Sequence, residues 1–231
     1  MNDPPLVSII VPALDEATTL PALLDHLQEL TGYFEAIVVD GGSSDATLAI
    51  ANSHRLSPRV ISAPRGRATQ CNAGALVATG DVLLFLHADT SLPAAAYSSL
   101  LSAVADPAVL GGNFEVQFDG GDRFSRLLSA WMKLQRRAGI YYGDSVIWMR
   151  RTMFEDLGGF RGLAIMEDYD LVRRLERAGS TVCLPGPVLT SARRWQHHGL
   201  ARTIGSWVLI RWLYLAGVPS SKLARVYPKI R

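Results

Sequence analysis

Acidic side chains recur in this chain just after short apolar runs, and Asp89 is the clearest case. It stands three residues beyond Val82–Leu86 in the stretch DVLLFLHADTSLP, Asp81 to Pro93. Asp15 and Glu16 follow the run Leu6–Val11, Asp40 and Asp45 follow Ala36–Val39, and Glu167 and Asp168 follow Met166. Carboxylates gathered at one place repel unless a cation or a donor-rich ligand answers them. A nucleotide carrying a divalent metal is such a partner. Asp40 can accept hydrogen bonds from a base or ribose, and Asp89 can hold a hard cation that bridges two phosphates. Arg65 and Arg67 can neutralise the remaining phosphate oxygens. The plainer alternatives are that Asp89 caps a turn or the next helix, and that Glu167 and Asp168 only complement a helix N-terminus.

The elements that must position these groups are legible from periodicity. Leu6–Val11 is a β-branched run stopped by Pro12, which reads as a buried strand, followed by a helix carrying Leu20, Leu23, Leu24 and Leu27, with Thr18 or Thr19 as its cap. Ala36–Val39 reads as a second strand and Val60–Ala63 as a third, the latter leading into a small-residue helix through Ala68, Ala73, Ala75 and Leu76. Val82–Leu86 is then a central strand buried on both sides. Strands alternating with helices at this spacing predict an α/β fold: a mostly parallel sheet with helices on both faces, whose ligands sit at the carboxyl strand ends.

After about residue 110 the pattern becomes mixed. Phe114, Val116 and Phe118 alternate with polar residues, as in a strand with one wet face, and a helix follows from about Arg123 to Arg137. Ser145–Met149 reads as another strand. Glu167–Ala178 reads as a helix with Leu171, Val172 and Leu175 as its buried stripe. Val182–Val188, interrupted by prolines, reads as an edge strand.

Composition bounds the function. With 231 residues, 48% hydrophobic and 19% charged, the chain can build one substantial core. A net charge of +2 is too mild to argue for nucleic acid. Cys71 and Cys183 are far apart and fit free, buried thiols of a reducing compartment. MNDPPLVSII lacks the basic and apolar segments of a signal peptide, and no stretch reaches the roughly 18 apolar residues of a membrane span, so the expected location is cytoplasmic.

The segments VSIIVPALDE (7–16), VVDGGSSDAT (38–47), RGRATQCNAG (65–74), DVLLFLHADT (81–90) and MEDYDLVRRLERAG (166–179) resemble, in family order, those of the family-two inverting glycosyltransferases with the GT-A fold. The resemblance covers about the first 180 residues. It implies a Rossmann-like GT-A sheet and binding of a UDP- or GDP-linked sugar by Pro12, Ala13, Glu16, Asp40, Gly42, Asp45 and Ala88. It also implies that Asp89, the second acid of the family's Asp-x-Asp motif, holds Mn2+ or Mg2+. The first acid is replaced by His87, which weakens the ribose contact assigned to it and leaves the metal ligand intact. Asp168, with Glu167 beside it, occupies the position of the catalytic base, which takes the acceptor hydroxyl's proton on the face opposite the departing nucleotide diphosphate.

Further on, Arg193, Arg194 and Trp195 in SARRWQHHG resemble the Arg-Trp signature of processive members. Guanidinium forks suit phosphate and an indole suits a sugar ring. The preceding glutamine is missing, so no polymerase is inferred. His197 or His198 is a candidate further metal ligand. Length and the RRW segment resemble small bacterial transferases found with radical-SAM proteins and linked to arsenosugar formation.

Residues 1–199 are expected to form the transferase domain, a nucleotide half (1–110) and an acceptor half (111–199), with 200–231 as a C-terminal helical tail. In the tail, Trp207, Ile210, Trp212, Leu213, Tyr214 and Leu215 stand among basic residues. That composition fits contact with a membrane surface carrying a lipid-linked acceptor. Packing on the protein's own core or on a second subunit, as a homodimer, is the preferred reading, since Gly205, Gly217 and Arg211 interrupt the segment. The competing functions are a nucleotidylyltransferase, which would place a glycine-rich basic loop where LDEATTL stands, and an inactive nucleotide-sugar-binding module. The acceptor can be a small molecule or lipid-linked.

Overall fold

The computed structural model describes residues 6–118, 123–190 and 200–226. Its centre is an eight-stranded mixed sheet in the order β3-β2-β1-β4-β7-β6-β8-β5. The strands β1 (Val7–Ala13), β2 (Phe34–Asp40), β3 (Arg59–Ser62) and β4 (Val82–Phe85) run parallel, with β1 between β2 and β4. Between them lie α1 (Leu20–Gln28), α2 (Thr47–Ser53) and α3 (Arg67–Val77). Register aligns Ala13 with Asp40 and Ile10 with Phe85, so the loops after β1, β2 and β4 leave the sheet on one rim.

These strands are apolar throughout because both faces are covered. Ile9, Val11, Val38 and Leu84 point into the core under α1 and α4 (Ala94–Val104), together with Trp148 and Tyr97. Their neighbours Ile10, Ile37, Val39, Leu83 and Phe85 point the other way. There they meet α3, α6 (Arg151–Asp156) and α7 (Glu167–Ala178). Gly74 is what lets α3 lie so close: a Cβ there would stand 2.4 Å from Cγ2 of Ile10.

The second half completes the sheet with antiparallel pairing. The strand β7 (Ile147–Arg150) runs against both β4 and β6 (Gly111–Phe118), and β8 (Thr181–Thr190) runs parallel to β6. Over Val182–Val188 the strand β8 pairs with β6 alone, as expected of an edge; only Leu189 and Thr190 meet a second neighbour, the two-residue β5 (Thr90–Ser91). Pro185 and Pro187 are tolerated there because the register jumps: Phe114 pairs with Leu184, but Val116 pairs with Val188. An irregularity of this kind spares the prolines a place in the ladder. Thr19 occupies the N-cap of α1 as expected, but its hydroxyl donates to Oε2 of Glu16 (2.6 Å) and makes no capping bond.

The helix α5 (Arg123–Arg136) packs on β6, and α8 (Leu200–Leu215) and α9 (Ser220–Val226) follow β8. Gly205 lies inside α8, so its helix-weakening effect is outweighed by packing: Ile204 and Trp207 reach the cluster of Phe118, Leu128 and Met132. Arg211 donates to Oε1 of Gln135, and the Tyr214 hydroxyl donates to Oδ1 of Asp170 (3.0 Å). Gly217, with φ of +85°, lies just beyond the end of this helix, where a left-handed residue is expected. Among the described residues no helix is long and apolar enough to cross a membrane. The cysteines are free, but only Cys71 is buried; Cys183 of β8 is exposed, which corrects the expectation of two buried thiols.

Candidate active site

Two acidic loops on the common rim are laced together by their own side chains. Asp15, at φ of +56°, donates its N–H to Oγ of Ser43 (3.0 Å), while its carboxylate accepts from the Ser44 N–H (2.7 Å). The Glu16 N–H donates to Oγ1 of Thr47 (2.7 Å), and the Ala17 N–H donates to Asp45 (3.0 Å). Asp45 also accepts from the Thr47 hydroxyl and N–H, and these bonds hold its carboxyl below the usual range. Asp40, nearly buried at the end of β2, accepts from the N–H groups of Gly42 (3.0 Å) and Ser43 (3.2 Å). Part of its expected capacity for a base or ribose is thus used to shape its own loop. Gly42, at φ of +87°, turns that loop.

Gln70 joins the strands beneath. Its buried Nε2 donates to the carbonyls of both Ala13 (2.9 Å) and Val39 (2.8 Å). Gly41 is its counterpart, since a Cβ there would lie 2.9 Å from Nε2 of Gln70. Neither residue stands out in the sequence, although RATQCNAG offers a polar side chain on an otherwise small-residue helix.

Arg67 lies three residues before Gln70, and links this rim to the second half. Its guanidinium donates to Oε1 of Glu167 at 3.3 Å. The side chain is 46% exposed; desolvation of its guanidinium opposes the charge, but the attraction of Glu167, Asp168 and Asp89 outweighs that and holds it above its ordinary range. Glu167 is only 6% exposed. Burial and the neighbouring Asp168 push its carboxyl up, against the pull of Arg67.

Asp168 is differently placed. It is half-buried, and it accepts from the Gly143 N–H at Oδ2 (2.8 Å) and from the Tyr169 N–H at Oδ1 (2.7 Å). Gly143 opens a 3-10 turn, Gly143–Ser145, before β7. A Cβ on it would stand 2.9 Å from Nε2 of His87 and 3.2 Å from Oδ2 of Asp168, so the strand-end histidine and the carboxylate face each other across a glycine. Two residues with positive φ flank this bond: Val146 (+53°) after the turn and Met166 (+67°) before α7. Each such position costs on the order of 1–3 kcal/mol, and strain of this kind gathers where a site must be held.

Ala88 is buried and Asp89 exposed, the latter on the loop after β4, within the field of Arg67. Pro93, not Asp89, occupies the N-cap of the helix that follows. Pro12 is half-buried, Ala13 buried and Arg65 exposed. Arg193, Arg194, Trp195, His197 and His198 lie outside the described residues. Among the described residues no three His, Cys, Asp or Glu side chains form a metal cluster. Asp89 instead offers one hard carboxylate, a donor suited to Mg2+ or Mn2+ arriving with the oxygens of a diphosphate. A cavity of about 380 Å³ between β6 and α5 is lined by none of Asp40, Asp89, Glu167 and Asp168, and lies apart from this rim.

A curled mixed sheet covered by helices, with acidic loops gathered at the ends of its parallel strands, defines a GT-A type of protein. The chain belongs to glycosyl transferase family 2, whose profile matches residues 8–162. It is 47% identical over 94 residues to a PGL/p-HBAD biosynthesis glycosyltransferase of Mycobacterium bovis, a match covering 38% of this chain and 37% of that protein. Glycosyltransferase AglE of Haloferax volcanii is 25% identical over 170 residues, 68% of this chain and 56% of AglE. The chain thus spans between about a third and a little over half the length of these relatives. Among solved structures, the mannosyltransferase PcManGT of Pyrobaculum calidifontis in complex with GDP-Man and Mn2+ superposes with a TM-score of 0.63 at 25% identity, over 83% of this chain and 58% of that one. Glucosyl-3-phosphoglycerate synthase of Mycobacterium tuberculosis shares the fold, with a TM-score of 0.61 at 21% identity, over 94% of this chain and 82% of that one.

Proposed function

We propose that the protein transfers a sugar from a UDP- or GDP-linked donor to a hydroxyl acceptor by a single, metal-assisted displacement with inversion. One observation carries the reading. Asp168 is a half-exposed carboxylate aimed by two backbone N–H groups, and it shares the field of Arg67 with Asp89. In the reaction the acceptor oxygen attacks the anomeric carbon and gives its proton to Asp168. The bond from that carbon to the diphosphate breaks, and its electron pair leaves on the phosphate oxygen. Asp89 is the residue that would hold the divalent ion, which supplies charge stabilisation to the leaving diphosphate. Glu167 is occupied by Arg67 and serves to position that guanidinium, whose side chain remains 46% exposed and open to phosphate. The rim formed by Pro12, Ala13, Glu16, Asp40, Gly42, Asp45 and Ala88 receives the nucleoside, with Arg65 at its margin.

The loop after β1 presents Asp15 and Glu16 where a nucleotidylyltransferase needs cationic, glycine-rich backbone, which favours sugar transfer. The narrower likeness to small bacterial transferases associated with radical-SAM proteins rests on Arg193, Arg194 and Trp195 and belongs to the same proposal. Calorimetry and donor turnover with Mn2+ test it. Asp89→Ala is expected to abolish metal-dependent donor binding. Asp168→Asn is expected to keep binding and lower turnover by roughly 10²- to 10⁴-fold. Unchanged donor affinity in Asp89→Ala, or full turnover in Asp168→Asn, defeats the assignment.

A further inference from the structure

The charge of this chain is unevenly distributed. From Arg177 to Arg231 there are nine Lys and Arg and no Asp or Glu, although the whole chain carries a net charge of only +2. From Arg123 to Gly143, α5 and the residues after it again contain no acid and five Lys and Arg. Asymmetry of this kind points to an acidic partner surface.

The two helices that carry these cations lie side by side. Ile204 and Trp207 of α8 pack on the cluster containing Leu128 and Met132 of α5, and Arg211 meets Gln135 one to two turns further along both. Their outer faces are apolar. Leu127 (62% exposed) and Leu134 (59%) on α5, with Leu209 (54%) and Trp212 (63%) on α8, are four of the most exposed large hydrophobic side chains among the described residues. Arg126 and Lys133 are exposed on α5, where they also line the cavity it forms with β6; Arg137 is exposed just beyond its end, and Lys222 and Arg225 stand exposed on α9. Lys133 pairs with Glu115 of β6 at 2.6 Å. Exposed Leu and Trp fringed by Lys and Arg are what an anionic bilayer surface binds: the apolar groups enter the acyl boundary and the cations meet phosphate headgroups. A second copy of this chain would instead bring like charges together.

The same helix turns its inner face to the reacting end of the site. Tyr214 of α8 meets the ring of Tyr169 at 6.1 Å, and Tyr169 stacks on Tyr142 at 5.4 Å. Tyr142 immediately precedes Gly143, which donates to Asp168. We propose that the α5–α8 face docks on an anionic lipid bilayer, so that the acceptor presented to Asp168 is borne by a lipid. This rests on the glycosyl-transfer reading only for its consequence, not for the binding itself.

The test is co-sedimentation of the full chain with phosphatidylcholine vesicles, with and without one third phosphatidylglycerol. Binding is expected to the mixed vesicles alone and to fall with added salt. The double variant Leu209→Glu, Trp212→Glu is expected to lose about tenfold or more of that partitioning, with unchanged circular dichroism and unchanged donor hydrolysis without vesicles. Equal partitioning of variant and parent overturns the proposal, as does no binding to anionic vesicles. So does a dimer in light scattering that the double variant dissociates, since a second copy then occupies the face. Failure of donor hydrolysis with vesicle binding intact would sink the transferase reading and leave the docking surface standing.

Discussion

The Gly143 N–H donates to Oδ2 of Asp168 at 2.8 Å, and the same glycine separates that carboxylate from Nε2 of His87. The aim of the proposed base is therefore set by the backbone of a turn that sits 25 residues upstream in sequence.

Gly143→Ala tests this relationship directly. The backbone at this position is not left-handed, so the chain can accept alanine, but the new methyl must displace His87 or the Asp168 carboxylate. A misplaced base costs rate more than binding. The expected result is a fall in kcat of roughly 10- to 100-fold, with donor affinity within about twofold of the parent. A loss of donor affinity with kcat preserved would assign Gly143 to the nucleotide pocket instead.

Gln70→Leu tests how the rim is held. The substitution keeps the volume roughly constant but removes the Nε2 donor from the carbonyls of Val39 and of Ala13, the latter keeping the Gly41 N–H (2.9 Å). Each buried hydrogen bond lost costs about 0.5–1.5 kcal/mol. Chemical denaturation is expected to show a loss in that range, and donor KM is expected to rise because the ends of β1 and β2 carry the nucleoside rim. Gln70→Glu, which keeps shape but places acceptors against acceptors, is expected to be at least as damaging.

The sequence and the structure agree where burial alone decides. Strands β1, β2 and β4 are apolar on both faces, and α7 begins at Glu167 and ends at Ala178 as its stripe of Leu171, Val172 and Leu175 predicts. Agreement fails where a residue's role depends on a distant partner. Pro185 and Pro187 signal an edge, and only β6 lies beside them, but the register jump that spares both a place in the ladder depends on the partner strand. Gln70 and Gly143 carry no pattern of their own, because their importance comes from carbonyls and a carboxylate far away in the chain. Arg67 reads as a phosphate ligand, and its pairing with Glu167 spans 100 residues, which no local spacing reveals. Asp40 reads as a ligand contact, whereas its oxygens also fold the loop that follows it.

A pH-dependent prediction comes from the opposite end of the same strands. Oε1 of Glu35 accepts from the Ser8 hydroxyl (2.6 Å), the Thr79 hydroxyl (2.8 Å) and the N–H groups of Thr79 and Gly80. Partial burial raises its carboxyl, and these donors together outweigh that and hold it below the usual carboxylate range. A carboxyl depressed in the folded state binds fewer protons there than in the unfolded chain. Its contribution is therefore present above the unfolded value and is lost as pH falls through the folded one. Glu35→Ala removes the acceptor and leaves the fully buried Ser8 hydroxyl without it, so a loss of about 1–2 kcal/mol is expected at neutral pH. The gap between parent and variant is expected to narrow as the solution is taken below about pH 4, as the parent's carboxylate is protonated. Thermal melts of the two proteins at neutral and acid pH measure it; a gap that widens on acidification would mean that Glu35 is not held as the anion.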